Sequence, residues 1–327
     1  MEKVIKAIDD SDWGIRTKKS RINFILNLKN ELSPDTNSFK FLDNYELVSN
    51  YILDKYDNTA TRKNQIIAIK SILSLLGDKR SYDKYDILSK QLIDDNDEAR
   101  GNNVVSDKDK EKYDYSYEEL KRVPDKIKDN IIHLFNKLYL NNDEIKNLNT
   151  IECKHKYYRL LTDYIISLLY LNMAPVRSDW GTVHLDKDNN KDNYYDYKTG
   201  LIYWNDFKNI KSMGPQVFKL NTYIKDNIKS YVKVLNYIIK DPIYLLYTFS
   251  SKEIIPFTRE KFSGYFIRMM KTYTGIPFNI NSIRHIYETT IINSQGYNNL
   301  TINQKKEIHN QLLHNYKTAQ EYIKINQ

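Results

Sequence analysis

The chain has 327 residues and a formal charge of +8, from 50 lysines and arginines against 42 aspartates and glutamates. A single hydrophobic core rarely grows beyond about 250–300 residues, so two domains are expected. No apolar run is long enough to span a membrane, and a lone cysteine, Cys153, excludes an internal disulfide framework and most cysteine-based metal sites. The first residues also lack the apolar block of a signal peptide. We therefore expect an intracellular protein of a reducing compartment, neither secreted nor in a membrane.

The positive charge is typical of proteins that bind a phosphate-rich partner such as nucleic acid. The chain is also rich in Asn, Ile, Lys and Tyr, with 28 tyrosines, as AT-biased codon usage produces. Charge alone therefore leaves nucleic-acid binding open, and no single tyrosine stands out as reactive. The same bias favours a virus or mobile element of an AT-rich host as the source.

Residues 1–95 predict a small helical domain. Apolar residues recur at helical spacing over 17–32, after a capping Asp43, over 59–76 and over 83–93. Four helices without a strand signal are typical of a helical bundle.

Three basic residues, Arg62, Lys63 and Lys70, lie on the third of these helices. We expect them either to contact DNA phosphates or to form a solvated helix face, and composition alone does not decide between the two.

Residues 96–113 are the clearest linker, since their acidic and lysine-rich runs leave almost nothing apolar to bury. We place the domain boundary there and expect a second domain over residues 114–327.

The second domain combines helices with a few strands. Ser116 and Glu119 form a capping box, and 151–171 predicts a long apolar helix at the centre of the core. Residues 200–204 and 216–220 predict two antiparallel strands joined by a turn. The expected fold class is therefore mainly α, with a helical N-terminal domain and an α+β second domain that holds a small antiparallel sheet.

Five residues of the second domain have side chains suited to phosphate chemistry. In chain order they are Arg177, Lys211, Arg284, His314 and Tyr322. Each has an ordinary structural interpretation: Arg177 follows the end of a buried helix, where Asp179 is a candidate partner, and a lysine in a turn is usually solvated.

As an ordered set, these residue types provide what metal-free cleavage of a phosphodiester requires. Arginines bind the non-bridging oxygens, a lysine protonates the leaving 5′ oxygen, and a histidine holds a further oxygen. A tyrosine attacks, although its pKa of about 10 makes it a weak nucleophile unless cations stabilise the developing charge. Since no clustered carboxylates, Cys/His spacing or Walker glycines indicate another chemistry, we expect neither a metal nor a cofactor.

With these residues in place, the sequence resembles the tyrosine recombinase (phage integrase) family over nearly its whole length. The resemblance is strongest in LLYLNMAPVRSD at 168–179, PFT at 256–258, SIRH at 282–285, and LH at 313–314 followed by Tyr322. It implies that the N-terminal domain is a core-binding domain and that both domains clamp double-stranded DNA.

The resemblance also implies roles for individual residues. Tyr322 attacks the scissile phosphate to give a 3′-phosphotyrosyl intermediate, while Arg177, Arg284 and His314 stabilise the transition state. Lys211, or as second choice Lys208, protonates the leaving 5′-hydroxyl. Asp179, Asn281 and His285 take supporting positions. The family implies an integrase or site-specific recombinase that acts at the DNA, in cytoplasm, nucleus or viral factory, as a synaptic dimer or tetramer.

Three departures from the family pattern are visible. Asn281 stands where the family usually has His or Lys, and Asn donates a hydrogen bond but neither a charge nor a proton. Leu313 replaces the usual Gly, and the spacing from His314 to Tyr322 is one residue shorter than the commonest pattern. The alternatives are a type IB topoisomerase, which shares the catalytic domain, and a DNA-binding protein of the same fold without turnover. A basic structural protein without a DNA role would require the residue order to be chance.

Overall fold

The computed structural model describes residues 2–35, 38–101, 110–185, 191–249 and 253–314. The backbone contacts divide the chain into two compact units, Met1–Asn102 and Asn103–Gln327. Among the helices of these described ranges, none is long and apolar enough to cross a membrane. Tyr322, the predicted nucleophile, lies outside the described residues.

The first unit is helical. Its helices are α1 (Glu2–Asp9), α2 (Ile15–Leu32), α3 (Tyr45–Lys55), α4 (Thr59–Leu76) and α5 (Lys79–Gly101). Helix α1 is an addition to the four predicted helices. It buries only Val4 and Ile8, which is too short an apolar pattern to indicate a helix from sequence.

Local signals set the ends of these helices. Asn44, not the predicted Asp43, caps α3 by accepting a hydrogen bond from the Leu47 amide at 3.2 Å. Gly77 ends α4 as predicted, in the left-handed conformation at φ 72° that favours glycine.

Helix α5 continues to Gly101, past residue 96, where the sequence predicts the linker to begin. Its buried stripe passes from Leu88 and Leu92 to Asn96, which is 4% exposed. Because the buried stripe continues through the polar residue Asn96, the apolar periodicity of the sequence predicts an end of the helix that is too early.

The second unit is built around one buried helix. Its helices are α6 (Lys110–Tyr113), α7 (Tyr117–Leu120), α8 (Val123–Phe135), α9 (Asn142–Lys146), α10 (Ile151–Leu171), α11 (Ile210–Met213), α12 (Thr222–Ile238), α13 (Arg259–Thr274), α14 (Ile280–Ile292) and α15 (Ile302–Asn310). From Leu160 to Leu171 every residue of α10 is buried, and α8, α12 and a short strand pack around it. The predicted capping box at Ser116 and Glu119 is confirmed, with both reciprocal hydrogen bonds present.

The strands form two small sheets. They are β1 (His184–Leu185), β2 (Tyr194–Asp196), β3 (Leu201–Trp204), β4 (Gln216–Lys219), β5 (Tyr247–Phe249) and β6 (Ile254–Pro256). The larger sheet has the order β1-β2-β3-β4, and β5 pairs with β6. The predicted β3–β4 pair is antiparallel with Ile202 opposite Phe218, whereas β1 runs parallel to β2, so the larger sheet is mixed. The mainly helical fold class with a small sheet is confirmed.

Candidate active site

A buried arginine joins three distant segments of the second unit. Arg284, on α14, is 0% exposed, and its Nη1 donates to the carbonyl of Pro175 at 2.6 Å and to that of Leu312 at 3.0 Å. Pro175 lies just before Arg177, and Leu312 just before His314. One guanidinium therefore brings together the segments that carry three of the five predicted catalytic residues.

The start of α14 directs Arg284 inward. The Asn279 side chain caps the helix by accepting from the Ser282 amide at 2.8 Å. Ile283 and Ile286 are buried in the core on either side of Arg284. The helix cap and these neighbours fix the guanidinium at the junction.

His314 lies against Arg284 and is also fully buried. Its Nδ1 is 3.4 Å from Nη2 of Arg284, and its Nε2 is 2.5 Å from Oε1 of Glu288. A guanidinium only donates, so Nδ1 is the acceptor and Nε2 carries the proton. Burial lowers the pKa of His314, although the hydrogen bond to Glu288 opposes this. The ring is therefore neutral at neutral pH.

Leu313 occupies a backbone conformation that favours glycine. Its φ is 53°, in the left-handed region, and its side chain is fully buried. The departure noted in the sequence thus falls where the backbone needs positive φ. Its side chain offsets this cost by filling the core.

Two further residues extend the network behind His314. Glu288, one turn after Arg284 on α14, also accepts from Nδ1 of His309 at 3.2 Å, and Nε2 of His309 is 2.8 Å from the Tyr297 hydroxyl. Burial raises the pKa of Glu288, but the hydrogen bonds from His309 and His314 outweigh it and hold the pKa below its usual range. Glu288, His309 and Tyr297 were not predicted from the sequence. The available signal for Glu288 was its spacing of one helical turn from Arg284.

The cluster of Glu288, His309 and His314 has the residue types of a metal site, with ligand atoms within 4.8 Å of one another. Its distances fit hydrogen bonds instead. Two ligands of a tetrahedral zinc ion lie about 3.3 Å apart, whereas Glu288 Oε1 and His314 Nε2 are 2.5 Å apart. The adjacent Arg284 guanidinium also repels a cation.

The sequence predicts that Asp179 pairs with Arg177, but in the structure Asp179 pairs with Arg259. Arg177 is half-buried just before a 3₁₀ turn at Ser178–Thr182, and its carbonyl accepts from the Tyr170 hydroxyl. Asp179 is buried and forms its ion pair with Arg259, at 3.1 Å. Burial raises the pKa of Asp179, and Arg259 opposes the shift more than Arg177 does. Arg259, at the start of α13, was missed because its partner is distant in sequence.

The connection between β3 and β4 carries the candidate lysines and is tethered at two points. Lys208 and Lys211 are exposed, and Lys211 lies on the short helix α11 where the sequence predicts a simple turn. Asn209 Nδ2 donates to the carbonyl of Leu313 at 3.0 Å. At the other end, Arg259 Nη2 donates to the carbonyl of Asp206. These bonds hold the lysine-bearing connection beside the His314 segment.

The supporting residues on α14 differ in exposure. Asn281 is exposed in the first turn, one turn before Arg284. His285 is half-buried, with its ring edge-on to that of Tyr113 at a centroid distance of 6.3 Å.

Two of the three basic residues predicted to contact DNA are used within the first unit. Arg62 donates from Nη2 to the carbonyl of Leu53 at 2.6 Å and from Nε to that of Tyr56. Lys70 pairs with Asp86 at 2.8 Å and donates to Ser89 at 3.1 Å. Lys63 is half-exposed on the same helix. Arg62 and Lys70 are therefore engaged in contacts within the unit and do not form a simple solvated face, whereas the contact of these residues with DNA stays a prediction.

Comparison with known proteins adds little to this description. No protein-family model matches the chain, and no curated protein matches it. Among solved structures, a crystal structure of XerA recombinase matches with a TM-score of 0.37 and 15% sequence identity, over 99% of this chain and 93% of that chain. A likeness at this TM-score assigns neither a family nor a function to the chain.

Proposed function

We propose that the chain is a DNA strand-breaking and rejoining enzyme of the tyrosine recombinase type, an integrase or site-specific recombinase. One observation carries the proposal: Arg284 binds the backbone beside both Arg177 and His314, across 109 and 28 residues of sequence. Segments whose residues the sequence predicts to act together thus meet at one junction.

In the proposed reaction, the Tyr322 oxygen attacks phosphorus and gives its proton to solvent water as the new bond forms. The bond to the 5′ oxygen breaks, and Lys211 protonates that oxygen. Arg177, Arg284 and His314 stabilise the charge on the non-bridging oxygens. Because the phosphotyrosyl bond replaces the phosphodiester, the reverse attack rejoins the strand without ATP.

The buried state of Arg284 and His314 requires a rearrangement when DNA binds. Both side chains are 0% exposed, and Nη1 of Arg284 bonds two carbonyls. Nη1 has two N–H donors and both are used, so a phosphate oxygen bound at Nη1 would replace one of these acceptors. We therefore expect this site to open when it binds double-stranded DNA. Protomers that exchange strands would also self-associate.

A second candidate is a DNA-binding protein of this type without turnover. Two observations favour it: the full burial of Arg284 and His314, and the exposed Asn281, which cannot transfer a proton. A type IB topoisomerase would use the same residues but act as a monomer on DNA.

Covalent trapping tests the proposal. The full chain is incubated with chelator and a library of nicked duplexes of random sequence, quenched with SDS, and assayed for DNA attached to protein. Attachment is expected for wild type and for the control Tyr316→Phe, but not for Tyr322→Phe. Salt-sensitive DNA binding without any attachment would instead support the binding protein.

A further inference from the structure

The second unit contains a buried chain of close polar contacts that starts at two residues of the proposed chemistry and continues through three residues that this chemistry does not use. It runs from Arg284 through His314, Glu288 and His309 to Tyr297, with separations of 3.4, 2.5, 3.2 and 2.8 Å. Three of these residues, Glu288, His309 and His314, are titratable and 0% exposed. Because these groups are buried, each contact in the series requires one donor and one acceptor, so the position of every proton must be consistent along it.

The donors and acceptors allow such an assignment. Arg284 only donates and the Glu288 carboxylate only accepts, so the His314 ring between them has Nδ1 as acceptor and Nε2–H as donor. His309 donates from Nδ1 to the same carboxylate, and its Nε2 lies 2.8 Å from the Tyr297 hydroxyl. The His314 ring is then neutral, and the one negative charge of Glu288 lies near the positive charge of Arg284.

We propose that Glu288 is a positioning residue that fixes His314 in the Nε2–H form and turns its Nδ1 toward Arg284. His309 and Tyr297 hold Glu288 in place from the side of α15. Glu288 remains ionised despite its burial, because two imidazole N–H groups donate to it. The Arg284 contact to Nδ1 is long, at 3.4 Å, so it holds the ring less firmly than Glu288 does. A neutral amide at 288 can present either its oxygen or its NH₂ group, so it would not select one form of the ring.

The proposal concerns the protein before DNA binds, and only its catalytic consequence rests on the proposed function. The same carboxylate keeps His314 aligned, as the orienting carboxylate does in other histidine-dependent sites, while burial keeps the ring neutral. If His314 then binds a phosphate oxygen, it does so from an orientation that Glu288 has set.

Nitrogen NMR of the histidine rings tests the assignment on the full chain without DNA. The two nitrogens of each of the six histidines are distinguished by their two-bond couplings to ring protons, and His314 is identified by the signal lost in His314→Gln. The expected result for wild type at pH 7.5 or so is a neutral ring protonated at Nε2. Protonation of His314 at Nδ1 would overturn the proposal, whatever the Glu288 variant does.

A variant pair then tests the role of Glu288. In Glu288→Gln we expect the His314 signals to shift toward a mixture of both forms. The control Glu307→Gln removes an exposed carboxylate from α15 and should leave them unchanged. A single Nε2–H form in folded Glu288→Gln would overturn the role of Glu288. If covalent attachment occurs in wild type, Glu288→Gln should slow it by on the order of tenfold to a hundredfold. If none occurs, the function fails and the ring assignment is still decided.

Discussion

Each unit contains an arginine that donates hydrogen bonds to backbone carbonyls, but the two arginines differ greatly in how far along the sequence their partners lie. In the first unit, Arg62 donates to carbonyls six and nine residues earlier, at the end of α3. In the second, Arg284 donates to carbonyls 109 and 28 residues away. Arg62 thus holds a local helix end, whereas Arg284 holds together the segments of a candidate active site. The type of residue and of bond does not distinguish these roles, but the sequence separation of the partners does.

The largest expected effect comes from removing the long-range arginine. Arg284→Leu removes the guanidinium that donates to the carbonyls of Pro175 and Leu312. It also removes the positive charge near the buried Glu288 carboxylate. Breaking such a buried network costs about 3–5 kcal/mol. Urea unfolding can be followed by the fluorescence of the buried Trp180 and Trp204 in a Trp13→Phe background. A loss of less than about 1 kcal/mol would contradict the central position of Arg284.

The pH dependence of stability tests a second long-range contact, the buried Asp163 on α10. It accepts hydrogen bonds from Tyr265 and Tyr273, 102 and 110 residues away. Burial raises its pKa from 3.8 to about 6, so the folded state binds the proton more tightly than the unfolded state. Its stabilising contribution is present below pH 3.8 and is lost as the pH rises through about 6.

We therefore expect Asp163→Asn to gain stability relative to wild type between pH 4 and pH 8, by up to about 3 kcal/mol. The pKa of His314 is lowered, and this has the opposite sign: protons favour the unfolded state, so stability falls as the pH drops below 6.5. Asp163→Asn should therefore show a steeper acid loss than wild type. Parallel curves for the two proteins from pH 4 to 8 would refute the assigned pKa of Asp163.

The strained position before His314 can be tested with two substitutions. Leu313→Ala removes a buried side chain but keeps the strain at φ 53°, and should cost about 2–4 kcal/mol. Leu313→Gly removes the strain as well and should be about 1 kcal/mol more stable than the alanine variant. At an ordinary helical position the order would be reversed, so an alanine variant more stable than the glycine variant would exclude the left-handed conformation.

The local arginine should have a smaller effect. Arg62→Ala removes two hydrogen bonds from a half-exposed guanidinium, so we expect a loss of about 1–2 kcal/mol. Amide hydrogen exchange should report the loss as faster exchange at the end of α3. The neighbouring Lys63→Ala is the control and should stay within about 0.5 kcal/mol of wild type. Equal losses for both would remove the distinction between a capping and a surface cation.

The smallest effect on stability is expected for the exposed lysines. Lys211→Ala should leave unfolding unchanged but slow DNA cleavage if Lys211 protonates the leaving oxygen. A 5′-bridging sulfur at the scissile phosphate, which leaves without a proton, should restore the rate of this variant. Lys208→Ala is the matched control. Rescue of Lys208→Ala instead would assign the proton to Lys208.

Contacts close in sequence were the predictable part of the molecule. The capping box at Ser116, the end of α4 at Gly77 and the buried helix α10 all follow from residues within a turn or two of each other. The order of Arg177, Arg284 and His314 was visible because a family pattern records it. The meeting of their backbone segments at the Arg284 guanidinium was not visible, since it depends on how α10, α14 and α15 pack.

The residues missed by sequence reasoning share one property, which is a partner on another element. Arg259 meets Asp179 across 80 positions, and Glu288 meets His309 and His314 only through the packing of α14 against the chain after it. Asp179 was assigned to Arg177 because the two are close in sequence. Proximity along the chain favoured the wrong arginine, since the 3₁₀ turn faces α13.

The account depends most directly on which residue becomes joined to DNA. The trapped complex can be digested with protease and nuclease, and the peptide that carries a nucleotide identified by mass spectrometry. We expect a 3′-phosphate linked to Tyr322. A linkage at another residue, or through a 5′-phosphate, would contradict the proposed arrangement of Arg177, Arg284 and His314 around the Tyr322 phosphate.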